Sequence, residues 1–207
     1  MKNPLRGVYL ITDTHTQQRY THRELAERAL SAGVHMIQYR EKAAPARHML
    51  EQIREIAALT GPSPALFIVN DRPDLALLGG ADGVHLGQED LPIPVTRRLV
   101  GARHLIGGTA STVEEAVAVA EQGADYVAVG HIFPTTTKRK DYPPRGLELL
   151  RAVRERVSIP LVAIGGITLE NAPHVIEAGA DVLAVSGAIC RAEDPERAAR
   201  AFVKLFA

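Results

Sequence analysis

Short apolar runs alternate along the chain with segments in which apolar residues recur at helical spacing. The helical segments include HRELAERALSA at 22–32, STVEEAVAVAEQ at 111–122 and LELLRAVRERV at 147–157. The runs between them are rich in Val, Ile and Leu and have the length of strands buried on both faces. About eight strands are predicted: VYLIT at 8–12, ALFIVN at 65–70, HLIGG at 104–108, PLVAIGG at 160–166, and one in each of four repeats.

The repeated unit places a glycine after a helical segment and an apolar run after the glycine. Its copies are SAGVHMIQYR at 31–40, GGADGVHLG at 79–87, EQGADYVAVG at 121–130 and EAGADVLAVSG at 177–187. The glycine suits the residue after a helix end, where a positive φ is needed. Ser111 and Glu114 have the spacing of a capping box at the start of another helix. The period is irregular, which argues against a solenoid.

Strands that alternate with helices predict right-handed βαβ units and a parallel sheet. Eight such units in 207 residues favour an α/β fold of the (β/α)8 TIM-barrel type, with an open doubly wound sheet as the alternative. No linker or low-complexity segment divides the chain, so we expect residues 1–207 to form a single TIM-barrel domain.

Composition narrows the classes of partner. Lys and Arg total 24, as do Asp and Glu, so nothing suggests nucleic acid as a partner, and tryptophan, which would serve a base-stacking surface, is absent. No apolar run approaches the ~20 residues that span a bilayer, and none near the start resembles a signal peptide. The lone Cys190 excludes an intrachain disulfide. We therefore expect a cytoplasmic protein without a membrane partner.

Chemically competent residues follow most of the apolar runs. In a barrel the carboxyl ends of the strands meet at one face, where active sites lie. Two carboxylates with a neighbouring amide suit Mg²⁺, cationic side chains suit a pyrophosphate, and glycine turns after the last two strands suit a phosphate. The candidates are Gln38, Arg40, Lys42, Asn70, Asp71, Asp90, Thr109, Thr135, Thr137, Lys138, Gly166, Ser186 and Gly187.

Each of these features alone has a plainer interpretation as a turn or a solvated loop; it is their joint occurrence at the strand ends that favours a site. Within the apolar runs, we interpret His35, His85 and His104 as packing residues and Cys190 as a small buried apolar side chain. The segment at 139–146, RKDYPPRG, is equally compatible with a closing lid and an ordinary surface loop.

Taken together, the motifs QYREK, NDRPDLAL, GADGVHLGQED, IFPTTTK and VAIGGIT resemble those of the thiamin phosphate synthase family nearly from end to end. The resemblance implies a barrel, a Mg²⁺ cofactor and a homodimer or higher homo-oligomer. It also implies phosphorylated small-molecule substrates: hydroxymethylpyrimidine diphosphate and a thiazole phosphate combine to give thiamin phosphate and pyrophosphate. Pyrophosphate departs from the pyrimidine, and the thiazole nitrogen attacks the carbocation that remains.

The resemblance also assigns roles by position. Gln38, Arg40, Lys42 and Asn70 would contact the pyrimidine diphosphate, Asp71 and Asp90 would hold Mg²⁺, and Lys138 would meet the pyrophosphate. The catalytic candidates are thus Lys138 and Arg40. Thr135, Thr137, Gly166 and the backbone at 186–187 would bind the thiazole phosphate, with Thr109 as a further substrate contact where the family usually has a Ser-x-His stretch.

His131 departs from the synthase pattern, which usually has proline at this position. A Gly-His pair followed by Arg145-Gly146-Leu147 resembles the thiazole tautomerase paralogue, in which the matching histidine moves a proton. The alternative function is therefore a tautomerase acting on a thiazole carboxylate phosphate, with His131 as the acid–base residue. The complete metal and pyrophosphate set favours the synthase, because a tautomerase has no diphosphate to bind.

Overall fold

The computed structural model describes residues 5–15, 17–136 and 142–207. Eight parallel strands form a closed barrel in chain order. The strands are β1 (Gly7–Thr12), β2 (Met36–Tyr39), β3 (Leu66–Asn70), β4 (Gly83–Leu86), β5 (Leu105–Ala110), β6 (Tyr126–Gly130), β7 (Leu161–Ile164) and β8 (Val182–Val185).

Helices follow the strands and pack around the barrel. They are α1 (His22–Ala32), α2 (Ala46–Thr60), α3 (Pro73–Gly79), α4 (Ile93–Val100), α5 (Val113–Glu121), α6 (Gly146–Arg156), α7 (Ala172–Glu177), α8 (Gly187–Cys190) and α9 (Pro195–Val203), with a final 3₁₀ turn at Lys204–Phe206. In the described part of the chain, no helix has both the length and the apolar character needed to cross a membrane.

The barrel closes through β1, which pairs with both β2 and β8. Leu10 lies opposite Ile37 on one side and Val185 on the other. The predicted TIM barrel is therefore confirmed, and the alternative of an open doubly wound sheet is wrong.

The apolar runs located every strand, although several strand boundaries differ from the predicted runs by one or two residues. Gln38 lies within β2 and Thr109 within β5, so both side chains belong to strands and not to the loops that follow. The predicted capping box of Ser111 and Glu114 is wrong, because α5 is capped by Thr112, whose side chain accepts the N–H of Glu115. Positive φ angles are confirmed at all four repeat glycines: Gly33, Gly80, Gly123 and Gly179.

The three histidines predicted to be core or packing residues have different environments. His85 is buried and His104 is half-buried, whereas His35 is exposed and packs at the edge of the barrel, outside the core. Its ring covers Gly7 at the amino end of the barrel, where a Cβ on that glycine would lie 2.3 Å from the His35 Nδ1 atom. Cys190 is buried as predicted, and burial raises the pKa of its thiol to about 11.

The aspartate of each GAD sequence forms two hydrogen bonds with the backbone of a single residue in the preceding strand. Asp125, just before β6, donates its backbone N–H to the carbonyl oxygen of Ile106 in β5 (2.8 Å). The Oδ2 atom of the same aspartate accepts the Ile106 N–H (2.7 Å). The same reciprocal pair joins Asp82 to Phe67 and Asp181 to Leu161. These hydrogen bonds fix neighbouring strands at the amino end of the barrel, opposite the face where the strands end.

Removing the Asp125 carboxylate should destabilise the barrel. Its Oδ2 atom also binds the Arg97 guanidinium at 2.6 Å, so Asp125→Ala leaves both the Ile106 N–H and the arginine without this acceptor. We expect the free energy of unfolding, measured by urea denaturation, to fall by roughly 2 kcal/mol. Asp125→Asn, which retains an acceptor oxygen, should lose clearly less. Equal losses in the two variants would show that the backbone hydrogen bond is not the stabilising contact.

Candidate active site

A cavity of about 380 Å³ opens at the carboxyl ends of the strands. Most of the predicted site residues line it, and they come from the ends of six strands. They are Gln38, Arg40, Asn70, Thr109, His131, Thr135, Gly166, Ser186 and Gly187.

The floor of the cavity is a chain of hydrogen bonds across the inside of the barrel. The Gln38 Nε2 atom donates to the Tyr9 hydroxyl (2.6 Å), which lies 3.1 Å from the Tyr126 hydroxyl. His85 continues the chain, with Nδ1 3.1 Å from the Tyr126 hydroxyl and Nε2 2.9 Å from the Thr109 hydroxyl. Burial raises the pKa of both tyrosines, so their hydroxyls remain protonated. The network thereby fixes the Gln38 amide and the Thr109 hydroxyl.

Arg40 is held at the cavity wall by a carboxylate that is not among the predicted site residues. Its Nη1 atom lies 3.5 Å from Oδ2 of Asp13, a residue that follows β1 and is 1% exposed. The backbone N–H of His15 donates to the other Asp13 oxygen (2.8 Å) and fixes the side chain. The guanidinium therefore has a buried counter-charge beside it in the cavity wall.

The loop after β2 is shaped by the Glu41 side chain. Its Oε1 atom accepts the backbone N–H groups of Lys42 and Ala43, each at 2.7 Å. Burial acts to raise the pKa of Glu41, but the backbone hydrogen bonds outweigh it and lower this pKa to about 2. Glu41 is thus a structural anion, and the loop that it holds presents Lys42 to Asp71, with which Lys42 forms an ion pair.

Asp71 and Asp90 form a carboxyl pair beside the cavity. Asp71 has a φ of 61° and donates its backbone N–H to the His85 carbonyl oxygen. The two carboxyl groups lie close enough to shift each other's pKa, and the Gly87 N–H binds Asp90 at 2.7 Å. Burial and the adjacent Asp71 raise the pKa of Asp90. Burial also acts to raise that of Asp71, but hydrogen bonds from Lys42 and Asp90 hold it below its usual range.

This pair fits a divalent cation. Two carboxylates in contact need either a shared proton or a positive ion between them, and Mg²⁺ commonly takes one or two protein carboxylates together with substrate phosphate oxygens. Next to the pair, Asn70 lines the cavity, and its Nδ2 atom has no hydrogen-bond partner within the described residues. Its amide is therefore available to a ligand.

The glycines after β7 are required by close packing. Gly165 and Gly166 have φ angles of 100° and 66°. A Cβ on Gly166 would lie 2.4 Å from the Pro134 carbonyl oxygen, and one on Gly165 would lie 2.4 Å from the His131 Cβ. The loop after β6 therefore rests directly on this turn and forms the second wall of the cavity.

His131 lies at the end of β6, in the cavity lining, and is 7% exposed. The Gly130–His131 peptide bond is cis. The imidazole packs against the Tyr142 ring at a centroid distance of 5.2 Å. The Arg145 guanidinium lies over the same Tyr142 ring, 4.4 Å from its centroid. The Arg145 N–H donates to the His131 carbonyl oxygen (2.9 Å), so the end of the loop is tied to this strand end.

Some predicted residues cannot be placed in this geometry. Thr137 and Lys138 lie outside the described residues, as do residues 139–141 of the candidate lid. The remainder of that segment, residues 142–146, is joined to the barrel, since the Tyr142 hydroxyl donates to the Gly130 carbonyl oxygen (3.4 Å).

The structure adds Asp13, His85 and Arg191 to the predicted set of cavity residues. Asp13 directly follows the first apolar run, so selecting the polar residues after each predicted strand, which identified Arg40, would also have identified Asp13. His85 lies within an apolar run. The sequence alone does not distinguish a histidine that packs there from one that joins a hydrogen-bond network. Arg191 could not be identified in this way, because it follows the helix α8 and not a strand.

Comparison with known proteins agrees with this geometry. Residues 8–189 match the family model described as thiamine monophosphate synthase. The thiamine-phosphate synthase of Chloroflexus aurantiacus is 47% identical over 193 residues, which cover 93% of this chain and 89% of the relative. That of Chlorobium phaeovibrioides is 50% identical over 179 residues, covering 86% of each.

A solved structure matches over almost the whole length. The thiamine phosphate pyrophosphorylase of Pyrococcus furiosus superimposes with a TM-score of 0.89 at 40% identity, covering 97% of this chain and 95% of the other. A family match over most of the chain and a barrel shared at this similarity lead to one conclusion. The chain belongs to the thiamine monophosphate synthase family.

Proposed function

We infer that this protein is a thiamine-phosphate synthase, a transferase of thiamine biosynthesis. It joins hydroxymethylpyrimidine diphosphate to a thiazole phosphate and releases thiamin phosphate and pyrophosphate. The observation that carries this conclusion is a single cavity with two different ends. One end has Arg40 with the Lys42–Asp71–Asp90 cluster beside it, and the other is built from the loops after β6, β7 and β8.

The diphosphate belongs at the end formed by β2, β3 and β4. Arg40 provides a guanidinium that can hold two oxygens at once, and Lys42 provides a mobile ammonium group. The Asn70 amide lines the same cavity, and its Nδ2 atom has no partner among the described residues. Gln38, fixed by Tyr9, is placed to orient the pyrimidine ring.

Asp71 and Asp90 would hold Mg²⁺. When bound, this ion neutralises charge on the diphosphate and on the departing pyrophosphate. Lys42 forms an ion pair with Asp71, so its ammonium group would meet the diphosphate beside the carboxylate pair.

The coupling exchanges one bond for another. The C–O bond between the pyrimidine methylene and the diphosphate breaks, and its electron pair leaves with pyrophosphate. The thiazole nitrogen then donates its lone pair to the methylene carbon. Arg40 and Lys42 stabilise the charge that develops on the leaving group, which is where preorganised electrostatics contributes most. The apolar side chains Ile11 and Ile164 in the wall limit the access of water to the carbocation.

The chemistry requires no protein nucleophile. Cys190 is not part of the described cavity wall, and its raised thiol pKa makes it a poor nucleophile at neutral pH. Thr135, Gly166 and the backbone at 186–187 are proposed to bind the thiazole phosphate. Thr109 is proposed as a further substrate contact, and Thr137 and Lys138, outside the described residues, retain their proposed substrate and pyrophosphate contacts.

Three expectations from the sequence remain proposals. They are a single TIM-barrel domain over residues 1–207, assembly into a homo-oligomer, and a cytoplasmic location without membrane or nucleic-acid partners. The phosphorylated small-molecule substrates follow from the proposed reaction.

A tautomerase activity is the second candidate, because His131 is a buried imidazole in the cavity wall. Such a residue could move a proton on a thiazole bound at this end. The carboxylate pair with Lys42 and Arg40 favours the synthase, since proton transfer on a thiazole has no use for a diphosphate site.

The first prediction concerns the carboxylate pair. Asp71→Asn and Asp90→Asn should each lower the coupling rate roughly 10²–10³-fold at limiting Mg²⁺, because diphosphate and metal lose a charged ligand. The rate is measured as thiamin phosphate formed over a Mg²⁺ titration, with far-UV circular dichroism as the check on folding. Asp74→Asn is the matched control, because this carboxylate on α3 pairs with Arg72 and should leave the rate unchanged. Near-normal turnover by either site variant at limiting Mg²⁺ would exclude the proposed metal role.

The second prediction separates the two activities. Wild-type protein is given both coupling substrates with Mg²⁺, and separately the thiazole carboxylate phosphate alone. We expect rapid coupling that His131→Pro leaves largely intact, and no tautomerisation. A tautomerase would show the reverse, with proton transfer falling about 10²–10⁴-fold in His131→Ala.

His174→Ala, which removes an exposed imidazole from α7, controls for nonspecific loss of a histidine. Undetectable wild-type coupling, together with tautomerisation that depends on His131, would overturn the proposed function. Turnover of neither substrate set would indicate a binding protein instead.

A further inference from the structure

Two arginines line the cavity, one after β2 and one after α8. Within the described cavity wall, Arg40 and Arg191 are the only side chains of lysine or arginine. Arg40 belongs to the end formed by β2, β3 and β4. Arg191 follows α8 and reaches Thr136 in the loop after β6, the strand that lies opposite β2 in the closed barrel.

The electrostatic surroundings of the two arginines differ. Arg40 lies 3.5 Å from the buried Asp13 carboxylate. In the part of the chain that the structure describes, no carboxylate oxygen lies within 4.0 Å of the Arg191 guanidinium, whose contacts are with neutral oxygens. Arg191 therefore brings a positive charge to the cavity that no described anion neutralises.

The Arg191 side chain is held in place although it is exposed. Its Nη1 atom donates to the Thr136 hydroxyl (3.1 Å) in the loop after β6. The guanidinium lies over Gly187, where a Cβ would approach Nη2 to 2.6 Å and Cζ to 3.1 Å. The backbone carbonyl oxygen of Arg191 accepts a hydrogen bond from the Arg19 guanidinium (3.0 Å). The absence of a side chain at Gly187 thus provides the space in which the cation rests against the loop.

We propose that Arg191 binds the phosphate ester of the thiazole substrate and selects the phosphorylated thiazole over the free alcohol. This inference rests on the proposed coupling function. A phosphate monoester carries close to two negative charges at neutral pH, and a guanidinium can give it two parallel hydrogen bonds. The loops after β6 and β8, which Arg191 joins, form the end of the cavity away from the diphosphate. Arg191 is therefore a specificity-determining residue for one substrate and not for the other.

The test compares thiazole phosphate with the unphosphorylated thiazole alcohol as coupling substrates. In Arg191→Gln, we expect kcat/KM for the thiazole phosphate to fall roughly 10–100-fold, the usual effect of losing a charge-assisted hydrogen bond. The value for the alcohol and the KM for the pyrimidine diphosphate should not change. Arg191→Lys should restore part of the discrimination. Arg197→Gln on the exposed side of α9 removes the same charge and should have no effect.

Gly187→Ala provides a second variant, because the added methyl group would displace the guanidinium while leaving both Arg191 and the Gly187 backbone N–H in the chain. It should reproduce the loss seen in Arg191→Gln and add little to it in the double variant. Additive losses, or a preference for the phosphate that Arg191→Gln leaves unchanged, would overturn the proposal.

Direct binding distinguishes this proposal from the proposed function. Calorimetric titration with thiazole phosphate alone requires no coupling. If wild type binds the phosphate but does not couple, and Arg191→Gln weakens that binding, the assignment of Arg191 stands while the synthase function fails. If wild type couples and both proteins bind the phosphate equally, the synthase function stands while the Arg191 assignment fails.

Discussion

The closure of β8 onto β1 is the constraint on which the rest of the structure depends. A closed parallel barrel brings every strand to the same rim, so residues as distant in sequence as Asp13 and Arg191 line one cavity. At the opposite rim, the GAD aspartates bind both backbone groups of a residue in the preceding strand. The repeat therefore secures the amino end of the barrel, while the strand ends are free to carry chemistry.

The two ends of the cavity divide the work of the proposed reaction. Carboxylates and two cations surround the place where negative charge is released, and glycine turns with Arg191 surround the place where a phosphate is only held. Between them, the buried chain from Gln38 to Thr109 provides polar groups that are already ordered before substrate binds. Such preorganisation is what allows electrostatic stabilisation to act without reorganising the protein during the reaction.

Much of this arrangement could be predicted from the sequence. The alternation of apolar runs and helical segments indicated the barrel, and Arg40 and Asn70 were found because they stand at strand ends. Periodicity could not distinguish a packing histidine from a network histidine at His85, because both environments bury the ring. Nor could it find Arg191, whose approach to the cavity depends on the missing side chain at Gly187 and on a loop contact with Thr136. Both contacts depend on three-dimensional distances, which the pattern of residues along the chain does not give.

A crystal structure of the protein with thiamin phosphate, pyrophosphate and Mg²⁺ would test the central claim of two separate anion sites most directly. We expect pyrophosphate in contact with Arg40 and Lys42, the ion between it and the Asp71–Asp90 pair, and the phosphate ester of the product beside Gly166 and Arg191. Pyrophosphate bound at the Arg191 end, or both phosphate groups bound at one end of the cavity, would contradict it.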